Sequence, residues 1–370
     1  MNKNHKQNSE KGQVEKNSAR KRANKVTAKF IKKHVSTSTH KAMGVCMSWY
    51  KQVADEYLEN FKIWKYHRCK HRFCPICSYF NSRKEGFMVR MVMKYVQVIL
   101  KKEFIFLTLT APNVLKDRLK DENVKYNDSL KKMLKREPLL SVVEGYIRKA
   151  EVTYNKEPLI TKEMWHGDSK EKINSMGNYF KNKGLKIGDA NPNYDTYHTH
   201  FHVVIAVNSS YFKRHYVEHE EWLRLWQEAM NDDSITQVRI QRVKDTKNSS
   251  AMAEISKYMA KHSDMNISQE VFDTFYTALK GRQIITFGGV FKDACKSYKL
   301  FLKKKGNERK EDVFYQFVEK DNTNYVYEML YHWGHNEYEE KGFKELTKEQ
   351  QHELQRLFLD EDDTEEDIDV

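Results

Sequence analysis

Hydrophobic and polar residues follow a strand-like pattern in five segments of the chain. The segments are rich in Val, Ile, Phe and Thr and are bounded by turn residues. They read FIFLTLTAPNV, IRKAEVTYN, HFHVVIAV, ITQVRIQRV and RQIITFGGVF. The first stops at Pro112 and Asn113, and the last ends at a Gly-Gly pair. In ITQVRIQRV, Val238 and Ile240 alternate with polar residues, which is typical of a half-exposed strand.

Helical periodicity appears between these strands. The segment EEWLRLWQEAM places four large apolar side chains on one face: Trp222, Leu225, Trp226 and Met230. The segment SAMAEISKYMAKHS predicts another helix, because Ser250 can cap it and the following residues favour the helical state. The irregular alternation of strands and helices predicts an α+β fold with a mainly antiparallel central β-sheet flanked by helices.

The two ends of the chain have a different composition from its middle. Residues 1–35 are polar, basic and almost free of aromatics, so they are predicted to form a disordered arm. Residues 36–300 have the mixed patterning of a folded domain. Residues 301–358 predict a helical extension, and residues 359–370 predict an acidic disordered tail.

The net charge of the chain indicates what kind of partner it binds. Lys and Arg number 65 against 52 Asp and Glu, a formal net charge of +13. Such an excess indicates a polyanion, most often nucleic acid, although a basic protein with a solvated surface is the alternative. The chain opens with no signal-peptide pattern, and its most apolar stretch, FMVRMVMKYVQVIL, is interrupted by Arg90 and Lys94. We therefore expect a cytoplasmic protein that has no membrane partner.

Three histidines alternate at the start of one predicted strand, in YHTHFHVVIAVNSSYF. Residues two apart in a strand share a face and lie about 6.7 Å apart, so His200 and His202 point together while Phe201 points to the core. Two imidazoles leave open positions on a divalent ion, and Glu151 in KAEVTYN is the candidate oxygen ligand. This donor set suits Mg²⁺, Mn²⁺ or Fe²⁺. His198 is predicted to contact substrate or to support a metal ligand. For the histidines as a group, the alternative is that they merely decorate an exposed strand.

A glutamate and a tyrosine share one face of the predicted helix EISKYMAK. Glu254 and Tyr258 are four residues apart, and Lys257 and Lys261 are close in sequence. A tyrosine whose pKa is lowered by cations can attack a phosphodiester, and a carboxylate one turn away can activate water. The same spacing also arises by chance, as a solvated Glu beside a packed Tyr.

A cluster of cysteines precedes the long apolar stretch. Three of the five cysteines fall within nine residues, CKHRFCPIC: Cys69, Cys74 and Cys77. The Cys-Pro-Ile-Cys turn directs two thiolates at one ion, which favours a small zinc-knuckle-like element with a structural Zn²⁺ over free thiols or a disulfide frame. Cys46 is the expected fourth ligand, with His67 and His71 as substitutes. Cys295 stands alone and is predicted to lie in the core.

Taken in order, these motifs resemble the rolling-circle replication initiators (Rep proteins) of small plasmids of Gram-positive bacteria. That family belongs to the wider group of His-hydrophobic-His endonucleases. The resemblance covers about residues 36–300 and rests on FCPICSYFNSRK, FLTLTAPNV, GYIRKAEVTYN, YHTHFHVVIAVNSSYF, EISKYMAKHSD and ALKGRQIITFGGVFK. It implies a central antiparallel sheet with the paired histidines on its middle strands and the tyrosine on a following helix.

The resemblance also implies an activity. The enzyme would nick one strand of a plasmid's double-strand origin and rejoin it after one round. His200, His202 and Glu151 would bind Mg²⁺ or Mn²⁺, and Tyr258 would become linked to the 5′-phosphate and free a 3′-OH. Glu254 would help water to cleave at termination. The implied partner is plasmid origin DNA, and a host helicase and a second copy of the chain are further candidates.

Several basic residues are candidate DNA contacts. They are His198, Arg239, Arg242, Lys257 and Lys261. A solvated basic face explains them equally well. Two other functions use the same motifs: a conjugative relaxase or single-strand transposase with the same chemistry, and a non-catalytic zinc-containing DNA-binding regulator.

Overall fold

Two antiparallel β-sheets with helices packed on them organise the chain. The structure is a computed structural model, and it describes residues 3–55, 61–167, 172–243, 261–308, 323–345 and 347–349. The strands are β1 (Trp49–Asp55), β2 (Phe61–Tyr66), β3 (Glu103–Thr110), β4 (Val143–Asn155), β5 (Thr196–Val207), β6 (Val238–Val243), β7 (Ile285–Gly289), β8 (Thr323–His332) and β9 (Glu337–Glu345).

Helices of very different lengths connect the strands. They are α1 (Lys3–Ile31), α2 (Thr37–Gly44), α3 (Pro75–Val98), α4 (Leu119–Leu134), α5 (Leu139–Val142), α6 (Lys162–His166), α7 (Ser175–Asn182), α8 (Tyr211–Arg214), α9 (His219–Met230), α10 (His262–Met265), α11 (Gln269–Leu279) and α12 (Val290–Glu308). Within the part of the chain that the structure describes, no helix is long and apolar enough to cross a membrane. The predicted helix SAMAEISKYMAKHS falls almost wholly within residues 244–260, outside the described residues.

The central sheet contains all five predicted strands. Their order is β6-β3-β5-β4-β7, and every neighbouring pair is antiparallel. The histidine-bearing strand β5 is therefore the middle strand, with β3 and β4 on either side. The prediction of an α+β fold around a central antiparallel sheet is confirmed.

The two faces of this sheet carry different layers. On one face, Phe201 and Val203 pack with α4 and α9 in a buried core. That core contains all four apolar residues predicted to share a face of α9: Trp222, Leu225, Trp226 and Met230. On the other face, alternate residues of β3, β4 and β5 pack beneath α3 and α12. His200 and His202 have the same parity as Val204 of this second layer, so they lie on the α3 side of the sheet.

The second sheet corrects the prediction for the C-terminal region. Its order is β2-β1-β8-β9, so residues 323–345 form a β-hairpin that pairs with β1. The predicted helical extension is wrong here, although α12 continues to Glu308. The reason is a period of two that favours a strand: Tyr331 and Tyr338 are buried, while their neighbours His332 and Glu337 are exposed. Because β8 pairs with β1, the predicted domain boundary at residue 300 does not divide the chain into two separate units. The predicted acidic tail, residues 359–370, lies outside the described residues.

The N-terminal region is also different from its prediction, because residues 3–31 form helix α1 instead of a disordered arm. The buried side chains recur at helical spacing: Asn17, Ser18, Lys21, Asn24, Thr27, Ala28 and Ile31. Backbone carbonyl groups accept hydrogen bonds from this mainly polar face. Lys21 Nζ donates to the carbonyl oxygens of Gly44 (3.1 Å) and Cys46, and Asn24 Nδ2 donates to that of Met43 (2.8 Å). Hydrophobic patterning cannot detect a buried face built from polar residues.

Candidate functional site

The register of the three middle strands gathers the predicted metal ligands. Residues directly opposite each other on neighbouring strands share a face of the sheet. Two rows of side chains result on the α3 side: Thr110, His200 and Glu151 in one, and Thr108, His202 and Lys149 in the next. The strand β5 supplies both histidines because its other face is apolar and buried, which fixes which way each residue points.

His202 and Glu151 are in direct contact. Nε2 of His202 lies 3.0 Å from Oε2 of Glu151, and the two residues are only 6 % and 7 % exposed. On the other side of the ring, Nδ1 lies 3.5 Å from Oγ1 of Thr108, and the ring of Phe106 stacks at 5.9 Å between centroids. If Nδ1–H donates to Thr108, then Nε2 presents a lone pair to a carboxylate. Such a contact requires a proton or a cation between the two atoms.

The other two histidines continue along the same strand. The His200 and His202 rings are nearly parallel, with centroids 6.2 Å apart, and the His198 ring is 4.1 Å from that of His200. Burial lowers the pKa of His198. This ring is consequently neutral at pH 7, so it can accept or donate one hydrogen bond without adding charge to the site.

The donor types suit the predicted divalent ion. In octahedral coordination at about 2.1 Å, neighbouring donor atoms lie about 3.0 Å apart, which matches the His202–Glu151 contact. Two imidazoles and one carboxylate leave the remaining positions to water or phosphate oxygens. Within the described residues, the ligand atoms of His200, His202 and Glu151 do not all lie within 4.8 Å of one another, so one shared ion would require a side chain to move.

The structure adds one buried charge that the sequence-based interpretation missed. Lys149 is directly opposite His202, is 1 % exposed, and has its Nζ 3.2 Å from Oε2 of Glu85 on α3. Burial lowers the pKa of Lys149, while the carboxylates of Glu85 and Glu151 oppose that effect. The alternation of side chains in a strand could have predicted this position, because Lys149 precedes Glu151 by two residues and so lies on the same face of the sheet.

The predicted DNA contacts are not all close to the histidines. Arg239 is exposed and directly opposite Thr108, so it extends the His202 row outward on the same face. Arg242 points to the opposite face, where it pairs with Glu103 (2.5 Å) and covers the ring of Phe212. The structure therefore does not bring Arg242 to the site. The sequence RIQRV already predicted this difference, because residues three positions apart in a strand point to opposite faces.

Three of the predicted residues, Glu254, Lys257 and Tyr258, lie outside the described residues. The described chain resumes at the exposed Lys261, which precedes α10. That short helix is held against β4, because Asp264 Oδ2 accepts a hydrogen bond from the backbone N–H of Tyr154 (3.5 Å).

The cysteines form a compact four-sulfur cluster. Its members are Cys46, Cys69, Cys74 and Cys77, with all sulfurs within 4.8 Å of one another. Three of the sulfur pairs are 3.6 Å apart, which is close to the spacing of about 3.8 Å in a tetrahedral zinc site and far above a disulfide bond length. The neighbouring thiols lower the pKa of Cys77. The cluster could hold Zn²⁺ without His67 or His71, and Cys295 is buried in the core as predicted.

Comparison with known proteins then gives the family. The model of a family described as "Replication protein" matches residues 60–341. The chain belongs to this replication protein family. A relative named "Protein rep" from Staphylococcus aureus is 37% identical over 258 residues, covering 69% of this chain and 96% of that protein. "Protein rep" of Bacillus amyloliquefaciens is 28% identical over 296 residues, covering 74% of this chain and 75% of that one. No solved structure matches the chain.

Membership of the replication protein family confirms the resemblance drawn from the motifs. The matched region contains His198, His200, His202 and Glu151. It also contains three of the four clustered cysteines and leaves out Cys46. It also includes β8 and most of β9, so the C-terminal hairpin belongs to the family's common region.

Proposed function

We propose that this chain is a plasmid rolling-circle replication initiator. It would bind the double-strand origin, nick one strand, leave a 3′-OH as primer, and rejoin the DNA after one round. The observation that carries the proposal is the contact of His202 with Glu151 beside His200, on one face of the middle strand. This is the donor set for a phosphate-bound divalent ion, in a chain of the replication protein family.

In this proposal His200, His202 and Glu151 hold Mg²⁺ or Mn²⁺. When bound, the ion neutralises charge on the scissile phosphate and polarises its oxygens. The chain's own groups prepare the site: Thr108 orients the His202 ring, and Lys149 offsets the negative charge of Glu151. The exposed Arg239, in the same row, is available to a DNA phosphate.

Tyr258 is the proposed nucleophile. Its phenolate oxygen would form a bond to phosphorus while the bond from phosphorus to the 3′ oxygen breaks, and that oxygen takes up a proton to become the 3′-OH. The resemblance of EISKYMAKHSD to the family's tyrosine segment supports this role, and the described chain resumes three residues after Tyr258, at Lys261. The helix that follows Lys261 is hydrogen-bonded to Tyr154, three residues from Glu151.

Glu254 is proposed to act at termination. A carboxylate four residues before Tyr258 would take a proton from water, which then cleaves the second phosphodiester without a second tyrosine. His198 and Lys261 are proposed as DNA contacts, since both lie at the end of the sheet where Glu151 and His200 meet. The cysteine cluster would hold structural Zn²⁺ at the start of α3, the helix that carries Glu85 to Lys149.

The proposal is tested by nicking of a supercoiled plasmid that carries the chain's own origin. With Mn²⁺ the wild type should convert it to open circles, and His202→Ala should not. The matched control is His215→Ala, an exposed histidine outside the site, which should nick normally. Origin binding without nicking by the wild type would instead support the zinc-containing regulator. Nicking without replication of the plasmid by this gene would support a relaxase or transposase.

A further inference from the structure

The outward face of the C-terminal hairpin carries a second group of metal-ligating side chains. Its members are His332 at the end of β8, His335 in the turn, and Glu339 in β9. All three are accessible, since their side chains are 45%, 70% and 41% exposed. They belong neither to the cysteine cluster nor to the proposed nicking site.

The distances among these donors suit one small cation. Oε1 of Glu339 lies 2.9 Å from Nδ1 of His335 and 3.9 Å from Nδ1 of His332, and all three donor atoms fall within 4.8 Å. Donor atoms in a tetrahedral zinc site are about 3.3 Å apart, midway between the two measured contacts. The two imidazole rings are adjacent, with centroids 4.1 Å apart.

The ring of His332 already presents a lone pair to the turn. Its Nδ1 accepts a hydrogen bond from the backbone N–H of His335, 3.1 Å away, so this nitrogen is unprotonated. An ion would replace that backbone donor at the same nitrogen. It would also replace the contact between His335 and Glu339, in which a ring proton now separates nitrogen from carboxylate.

The hairpin holds the three residues in place before any ion binds. The inward neighbours Tyr331 and Tyr338 are buried, and the Tyr338 hydroxyl donates to the carbonyl of Met47. The turn is fixed from the other side by α1, where Lys25 Nζ donates to Asn336 Oδ1 at 2.6 Å. A preformed backbone of this kind reduces the ordering cost of binding a ligand.

We propose that His332, His335 and Glu339 form a second Zn²⁺ site, with a fourth position open to water. Two imidazoles and a carboxylate suit zinc better than the alkaline-earth ions, because nitrogen donors are in the majority. The ion would tie β8, the turn and β9 together, and so hold the hairpin against α1. This site does not depend on the proposed nicking function.

Zinc titration against a chromophoric chelator tests the site on the full chain at pH 7. The wild type should bind one more equivalent than His335→Ala and than Glu339→Gln, and zinc should raise the melting temperature of the wild type more than that of either variant. His215→Ala should match the wild type. Both changes are at exposed side chains, so both variants should fold, with unchanged melting temperatures in the absence of added zinc.

A second background separates this site from the nicking site, which also contains two histidines and a carboxylate. In His202→Ala, adding His335→Ala should still remove one zinc equivalent. Failure of the nicking hypothesis would leave that difference intact. Unchanged zinc stoichiometry in either hairpin variant would overturn the proposal.

Discussion

Nε2 of His202 on β5 and Oε2 of Glu151 on the neighbouring strand β4 lie 3.0 Å apart in the central sheet. Both side chains are almost fully buried, and Thr108 contacts the far nitrogen of the ring. The contact joins two residues that are 51 apart in the sequence, and only the antiparallel register of β4 and β5 brings them together. The proposed chemistry begins from this pair.

Replacing Glu151 with Gln should weaken divalent metal binding without unfolding the sheet. The amide keeps the shape of the side chain but lacks the negative charge, so the Mn²⁺ concentration for half-maximal nicking should rise by about tenfold or more. Glu163→Gln, on exposed α6, is the control and should leave the requirement unchanged. An identical Mn²⁺ dependence in Glu151→Gln would remove this residue from the site.

The ion pair between Lys149 and Glu85 should contribute more to the free energy of unfolding than an ion pair on the surface. Glu85→Gln leaves a buried ammonium without its 3.2 Å partner and should lower the free energy of unfolding by about 2 kcal/mol. Adding Lys149→Met should recover most of that loss, because the uncompensated charge is then gone. Urea denaturation measures both effects.

The control for this pair is Asp293→Asn, which breaks an exposed pair with Lys296. Its cost should stay below about 1 kcal/mol. If Glu85→Gln cost no more than this control, Lys149 would not depend on Glu85 for its burial.

Cys46 and Cys295 are both buried, but only Cys46 is expected to bind zinc. Cys46→Ser should lose the zinc of the cysteine cluster and lower the melting temperature, because three sulfurs hold Zn²⁺ less tightly than four. Cys295→Ser, in the core beneath α12, should keep its full zinc content even if it is less stable. Atomic emission spectrometry of the purified proteins gives the zinc content. Equal zinc in the two variants would contradict the assignment of Cys46.

His262 should make the fold sensitive to acid. Burial lowers the pKa of His262 to about 4, against about 6.5 in an unfolded chain. Between these values the unfolded state binds more protons, so the free energy of unfolding rises with pH through the window. Acidification from pH 7 to 4 should therefore cost about 3 kcal/mol through this residue.

Denaturation curves at several pH values check this dependence. His262→Gln should flatten the rise in stability between pH 4 and 6.5 relative to the wild type. His215→Gln, at an exposed position, should leave the slope unchanged. Parallel pH profiles for wild type and His262→Gln would show that this histidine is not buried in its neutral form.

Local periodicity was sufficient for the central sheet and for part of the site. The alternation around His200 and His202 correctly predicted that they share a face, because a strand with one apolar side has only one way to bury it. The spacing of Cys69, Cys74 and Cys77 likewise predicted a cluster, and the expected fourth member, Cys46, lies with them. These are features in which one short segment determines its own orientation.

The remaining features could not be predicted from local sequence, because they depend on contacts between distant segments. Helix α1 buries Lys21 and Asn24 on carbonyl oxygens of residues 43–46, so its polar sequence carried no sign of burial. The hairpin of β8 and β9 joins the second sheet through β8, which pairs with β1, nearly three hundred residues earlier. Lys149 is charged and stands in a strand, and only the position of Glu85 on α3 explains how it can be buried.

The most direct test of the account is capture of a covalent protein–DNA adduct. The wild type is incubated with Mn²⁺ and a single-stranded oligonucleotide that contains the origin's nick site, and the products are separated under denaturing conditions. We predict a 5′-phosphotyrosine adduct at Tyr258, absent in Tyr258→Phe and in His202→Ala, and retained in His215→Ala. An adduct formed by Tyr258→Phe at the wild-type rate would contradict it.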